Sequence, residues 1–222
     1  GAAPVMIDPG MGKKSLLKCI ADTAPDAMVA ESVAHWVARA FPKPFANVRA
    51  RISRGGLPPP GTSLSIDRLR AEFNDAVEHE FESEFMTDDD LAAILFTTGS
   101  TGPPKGVVYT HGMFNAQLDI IRESYGAGPS EIDMSAFPLF ALFAVSLGMT
   151  SVVPDMDFTR PARVDPRKIV RIVADHGVSF SFGSPALWRV VAGFCLKNNI
   201  RLDSVRRALM AGAPVNAELH DM

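Results

Sequence analysis

The stretch that decides the reading is Leu91-Ala92-Ala93-Ile94-Leu95-Phe96-Thr97-Thr98-Gly99-Ser100-Thr101-Gly102-Pro103-Pro104-Lys105-Gly106-Val107-Val108-Tyr109-Thr110-His111. An apolar run enters a segment of hydroxyls, glycines and prolines that holds one lysine, and a second apolar run leaves it. Both runs have the length and composition of strands. Between them, glycines let backbone N–H groups turn toward an anion without Cβ clashes. The hydroxyls of Thr97, Thr98, Ser100 and Thr101 add donors, and Lys105 supplies a compact positive charge. The spacing differs from that of a Walker loop, since Lys105 follows Pro104 and precedes Gly106 and a strand. A flexible Gly/Ser linker would lack the two prolines and the flanking strands. The stretch therefore reads as a phosphate cradle.

Upstream, the apolar run Pro4 to Asp8 stops at Pro9-Gly10-Met11-Gly12, and Leu16, Leu17 and Ile20 recur at helical spacing. Ala27 to Ala30 reads as a second strand and Ser32 to Phe41 as a helix N-capped by Ser32, which together predict a βαβα unit of one parallel sheet. Residues 42–90 read as an irregular, charge-polarised connection, because Pro42, Pro44 and the segment 54–61 disfavour regular structure. Residues 71–90 carry nine acids and no Lys or Arg, which leaves a net positive charge on the remainder of a chain whose formal total is −3. Phe73, Val77, Phe81 and Phe85 recur four apart and predict an amphipathic helix through that acidic run. Downstream, helices are expected at 115–125, 166–176 and 185–198, with strands at 178–182 and 208–211. Helices alternating with strands predict an α/β layer architecture.

Composition narrows the function classes. The chain has 222 residues, 47% hydrophobic and 21% charged, enough for a sizeable core. Its charge of −3 offers no footprint for nucleic acid. Cys19 and Cys195 stand far apart, which argues against a disulfide framework or a zinc site and suits the cytoplasm. Met134 to Pro154 is free of charge over 21 residues, long enough for a membrane span. Pro138, Gly148 and several hydroxyls interrupt it and no basic cluster flanks it, so a buried helix followed by a strand at 150–153 is expected instead. The opening Gly1-Ala2-Ala3-Pro4 carries no signal-peptide pattern.

The segment Thr97 to Gly106 closely resembles the phosphate-loop signature of the adenylate-forming (AMP-binding) enzymes, the family of acyl-CoA synthetases, luciferases and peptide-synthetase adenylation domains. Pro4-Val5-Met6-Ile7-Asp8-Pro9 resembles the early strand-turn segment of that family, and Met210-Ala211-Gly212-Ala213-Pro214 its Gly-Gly-Ala-Pro segment, which packs on adenine. The resemblance spans nearly the whole chain. The wording of residues 7–12, 137–143 and 154–157 is similar to the β-lactone synthetases of bacterial olefin biosynthesis, often labelled fatty-acid–CoA ligases. Two positions depart from the family pattern: Ala211 stands where glycine is common, and Ala141 where many fatty-acyl ligases have histidine.

The resemblance implies part of the large N-terminal domain of an adenylate-forming enzyme, mostly parallel sheets flanked by helices, with residues 1–222 a fragment of it and the C-terminal domain absent. It implies ATP with Mg²⁺, an acyl substrate and, for ligases, CoA. A carboxylate, long-chain and including the β-hydroxy type, is joined to the α-phosphate of ATP, and thioester or β-lactone formation follows in the full-length enzyme. By resemblance Thr97, Thr98, Gly99, Ser100, Thr101, Gly102 and Lys105 hold the phosphates, and Gly212, Ala213 and Pro214 the adenine. Phe137, Phe140 and Phe143 are candidates for the acyl wall, because each buried CH₂ of an alkyl chain contributes about 0.8 kcal/mol. His111 is a candidate near the acyl carboxylate. The Mg²⁺ ligands are expected mostly outside this chain, no residue here is expected as a metal ligand, and the fragment is expected to be inactive alone. Two other readings stay open: a dinucleotide site at Gly10-Met11-Gly12 with Glu31, lacking the third glycine at Ser15, and a non-catalytic nucleotide-binding or interaction module.

Overall fold

Strand pairing sorts the strands of this chain into three sheets. The computed structural model describes residues 2–7, 11–56, 58–61, 64–74, 83–97 and 104–220. It divides into two units, residues 1–114 and 115–222.

In the first unit, β1 (Val5–Met6) pairs in parallel with β5 (Leu91–Thr97), and β5 pairs antiparallel with β6 (Lys105–Thr110). A second sheet has the order β2 (Ala27–Glu31), β3 (Ala50–Arg54), β4 (Leu64–Ser65), all parallel. Helices α1 (Lys13–Thr23), α2 (Ser32–Ala40) and α3 (Ile66–Asn74) accompany them. The expected βαβα unit is thus corrected: β1 and β2 lie in different sheets. Strand β2 alternates exposed and half-buried residues, with Val29 exposed, and sits at an edge. Strand β1 instead lies against the apolar β5, with Val5 opposite Ile94.

The 42–90 stretch is corrected as well. It holds β3, the central strand of the second sheet, together with β4 and α3. Arg51 and Arg54 masked the strand in the sequence, while Ser53 is buried and the Ile52 carbonyl is bonded to His35 Nε2 at 3.0 Å. Only the Gly/Pro segment behaves as expected, with Gly55, Gly56 and Gly61 at positive φ. Ser32 is not the cap of α2 but its first residue. Glu31 precedes the helix without a side-chain cap, and the Ser32 hydroxyl donates to the Gly55 carbonyl. The acidic amphipathic helix is seen only as α3. Val77 and Phe81 lie outside the described residues, residues 83–87 have no regular structure, and Phe73 and Phe85 are exposed.

In the second unit, four parallel strands run in the order β10 (Arg207–Met210), β9 (Phe180–Gly183), β7 (Ile132–Ser135), β8 (Thr150–Val152). Helices α6 (Pro166–His176) and α7 (Pro185–Asn198) contribute to one core, in which Met134, Ile169, Val173, Leu187, Trp188 and Val191 are buried. Their ends carry complete signals. Asp165 accepts from the Arg167 N–H at 3.1 Å and Ser184 from the Leu187 N–H at 3.2 Å; each is followed by proline, and Gly177 and Asn199 close the helices in left-handed conformations. A second core gathers Ala127, Ala144, Leu147, Met149 and Phe180, against which Leu118 and Ile121 of α4 (His111–Tyr125) pack. The expected buried helix in the uncharged run is α5 (Ala141–Ser146), and it is only half buried: Ala144 faces the core while Leu142 and Val145 are exposed. Among the described residues no helix is long and apolar enough to cross a membrane.

Candidate functional site

The two strands that bound the predicted phosphate cradle pair as far as its ends. Thr97 stands opposite Lys105, Phe96 opposite Gly106, Leu95 opposite Val107 and Ile94 opposite Val108, with the register shifting between Leu91 and Ala93. Antiparallel pairing of this kind pins both ends of the intervening loop. Thr98, Gly99, Ser100, Thr101 and Gly102 lie outside the described residues; of Thr97 only the backbone, in β5, is described. Lys105 opens β6 with an exposed side chain. Gly106 has a packing reason: a Cβ there would stand 3.1 Å from Phe96 Cζ and 3.3 Å from Ile94 Cγ2.

His111 begins α4 immediately after β6, half-buried, with its backbone N–H donating to the Asp90 carbonyl at 3.1 Å. The adjoining Gly112 N–H donates to the Asp88 carbonyl at 2.9 Å, where a Cβ would approach Asp88 Cβ to 2.9 Å. The Asp90 carboxylate accepts from the Thr87 N–H at 2.6 Å and the Thr87 hydroxyl at 2.8 Å, and these bonds hold it below the usual carboxylate range, helped by nearby His111. His111 thus stands at a braced strand-to-helix junction.

In the second unit, the Ala211 N–H donates to the Gly183 carbonyl at 3.1 Å, continuing the β9–β10 pairing by one residue. Gly212 then turns the chain at φ +89°, and Gly212, Ala213 and Pro214, the predicted adenine segment, are exposed. Next to this segment is a cavity of about 360 Å³, which Ala211 helps to line. Of the three phenylalanines proposed for an acyl wall, Phe140 and Phe143 line this cavity; Phe137 does not, being 46% exposed, with its ring centroid 5.8 Å from that of Phe140. Phe140 stacks on Phe182 at 3.6 Å between centroids and on Phe143 at 5.6 Å. Phe180 and Phe182 complete the wall from β9. Their spacing of two on a strand, which puts both rings on one face, was the signal that could have found them.

The cavity also contains a polar residue that sequence reasoning missed. Asp133, on the central strand β7, is 2% exposed and lies among the lining residues. Its Oδ2 accepts from the hydroxyls of Ser135 and, at 3.3 Å, Ser151, while Oδ1 has no partner. Burial pushes this carboxyl above the usual range, against the two serine bonds. Two residues earlier, Glu131 is also buried, but it accepts from the Ser179 hydroxyl and from Arg206 and Arg207, each at 2.9 Å. Burial would raise it; the Ser179 bond and the two guanidinium groups outweigh that and hold it below the usual range.

Among the described residues no group of three His, Cys, Asp or Glu side chains is placed to hold a metal ion. Cys19 and Cys195 are both free and buried, and burial pushes both thiols up.

The model of the family described as AMP-binding enzyme matches residues 1–222. An olefin beta-lactone synthetase of Xanthomonas campestris pv. campestris is 40% identical over 222 residues, 97% of this chain, and one of Stenotrophomonas maltophilia is 42% identical over 221 residues, also 97% of this chain. The chain spans 37% of the length of each. The crystal structure of a long-chain-fatty-acid-CoA ligase from Archaeoglobus fulgidus superposes with a TM-score of 0.75 at 21% identity, covering 99% of this chain and 43% of that one.

Proposed function

Since the chain belongs to the AMP-binding enzyme family, we propose that it supplies the phosphate loop, the adenine segment and the acyl wall for ATP-dependent activation of a long-chain carboxylic acid, including the β-hydroxy type, as an acyl-adenylate. Thioester formation with CoA, or closure to a β-lactone, is the second step in the whole protein. The observation that carries this reading is the β5–β6 hairpin, which sets Thr97 opposite Lys105 at the two ends of the hydroxyl- and glycine-rich loop.

In the first step the acid's carboxylate attacks the α-phosphate and pyrophosphate leaves. Negative charge grows on the departing group. Loop N–H groups, the hydroxyls of Thr97, Thr98, Ser100 and Thr101, and the Lys105 ammonium are suited to stabilise that charge more than they stabilise bound ATP. Gly99 and Gly102 allow the close approach of backbone to phosphate, and Gly212, Ala213 and Pro214 offer an exposed backbone edge for the adenine. Phe140 and Phe143 supply apolar surface to an alkyl chain. The described residues bring together no group of three His, Cys, Asp or Glu side chains for Mg²⁺. The two free thiols accord with a cytoplasmic setting.

The test is a thermal-shift titration of the 222-residue chain with ATP. ATP is expected to raise the melting temperature in a saturable way, and Lys105→Ala to weaken the apparent affinity about tenfold, the worth of one charge-assisted hydrogen bond. A chain indifferent to ATP, with Lys105→Ala changing nothing, would instead support a non-catalytic interaction module.

A further inference from the structure

The centre of a four-stranded parallel sheet is an unfavourable place for a carboxyl group, because an apolar side chain fills such a position without losing hydration. Asp133 occupies it nonetheless, paired in register with Ser151 on one side and Phe180 on the other. Around it the cavity wall is largely apolar, with Phe140, Phe143, Leu147, Met149 and Phe180, while Gln117 and Tyr125 also line it. Ser135 and Ser151 occupy one carboxyl oxygen, which orients the group, and the second is left as a buried polar atom with no partner. A buried polar atom in that state needs a physical explanation, and a ligand group is one. The cavity volume of about 360 Å³ falls within the range of small-molecule sites.

We propose that Asp133 is a specificity-determining residue of this cavity, its unpartnered carboxyl oxygen hydrogen-bonding a hydroxyl group carried by an otherwise aliphatic acyl ligand. The proposal rests on the reading of the cavity as the acyl site. A hydroxyl suits the position better than an ammonium group. Burial disfavours a charged carboxylate here, and a cation entering these largely apolar walls would lose its hydration. The match is of the kind that discriminates well, because a ligand lacking the hydroxyl leaves the carboxyl oxygen unpaired.

The experiment follows the 222-residue chain, ¹³C-labelled at methionine methyls and aspartate carboxyls, by NMR without ATP. Decanoate, 3-hydroxydecanoate and 10-hydroxydecanoate are titrated in parallel. All three are expected to shift the Met149 methyl. At least one hydroxy acid is expected to bind about five- to tenfold more tightly than decanoate, the range for one hydrogen bond, and only a hydroxy acid to move the Asp133 carboxyl resonance. Asp133→Leu should bring the affinity ratio to about one while decanoate still binds. Equal affinities in the wild type, with Met149 responding, overturn the role of Asp133 and leave the acyl reading standing. No response of Met149 to any of the three overturns both. If Asp133→Leu fails to fold, the wild-type affinity ratio and the Asp133 resonance decide the matter alone.

Discussion

Glu131 and Asp133 stand two positions apart and are pushed in opposite directions from the ordinary carboxylate range, because the chain gives them different company. Glu131 meets two guanidinium groups, Asp133 two hydroxyls. A carboxyl held low stabilises the fold above the ordinary carboxylate range, about 4.3, and that contribution is lost as the pH falls through the folded value. Glu131→Gln is therefore expected to cost about 2 kcal/mol at pH 7 in urea denaturation. The figure lies below that for a fully buried pair because Arg206 and Arg207 are 58% and 37% exposed and partly screened. The gap between wild type and variant should close as the pH falls from that range through the lower folded value; a gap that persists in acid would mean the carboxylate charge is not the cause. Neither acid announced itself in the sequence. The partners of Glu131 lie 48, 75 and 76 residues away along the chain.

Elements with complete local signals were legible. Helix α7 begins at a serine followed by proline and ends at asparagine, and the structure places it at the expected 185–198. Ser184→Ala should lower stability by about 1 kcal/mol in thermal or urea unfolding, the usual worth of an N-cap. The two strands flanking the loop were equally legible, though not their antiparallel pairing, and the glycine of β6 can be tested directly. Gly106→Ala puts a methyl into the Phe96 ring and is expected to cost about 1–2 kcal/mol. Phe96→Leu in the same chain should recover part of it, since the obstruction is a side-chain end rather than backbone. Absence of any coupling between the two changes would contradict the packing account of Gly106. Illegible elements had misleading composition: β3 carries two arginines, yet becomes a central strand because strands on both sides satisfy its backbone.

At the scale of the molecule, the chain spans 37% of its olefin beta-lactone synthetase relatives. It is expected to bind ATP while releasing no pyrophosphate above background when given ATP and decanoate in a coupled phosphate assay; brisk carboxylate-dependent release would show that these residues suffice for adenylation. The sequence by itself determined the family resemblance, the α/β alternation, the phosphate-loop motif and the principal helices. Those rest on backbone conformation and side-chain direction within a few residues, which local pattern encodes. Only the tertiary structure decided that β1 and β2 belong to different sheets, that Phe140 and Phe143 line the cavity while Phe137 does not, and that Asp133 lies in its wall. Strand partners and cavity walls are set by contacts between distant segments, and their energies depend on which surfaces meet, which no local window of sequence contains.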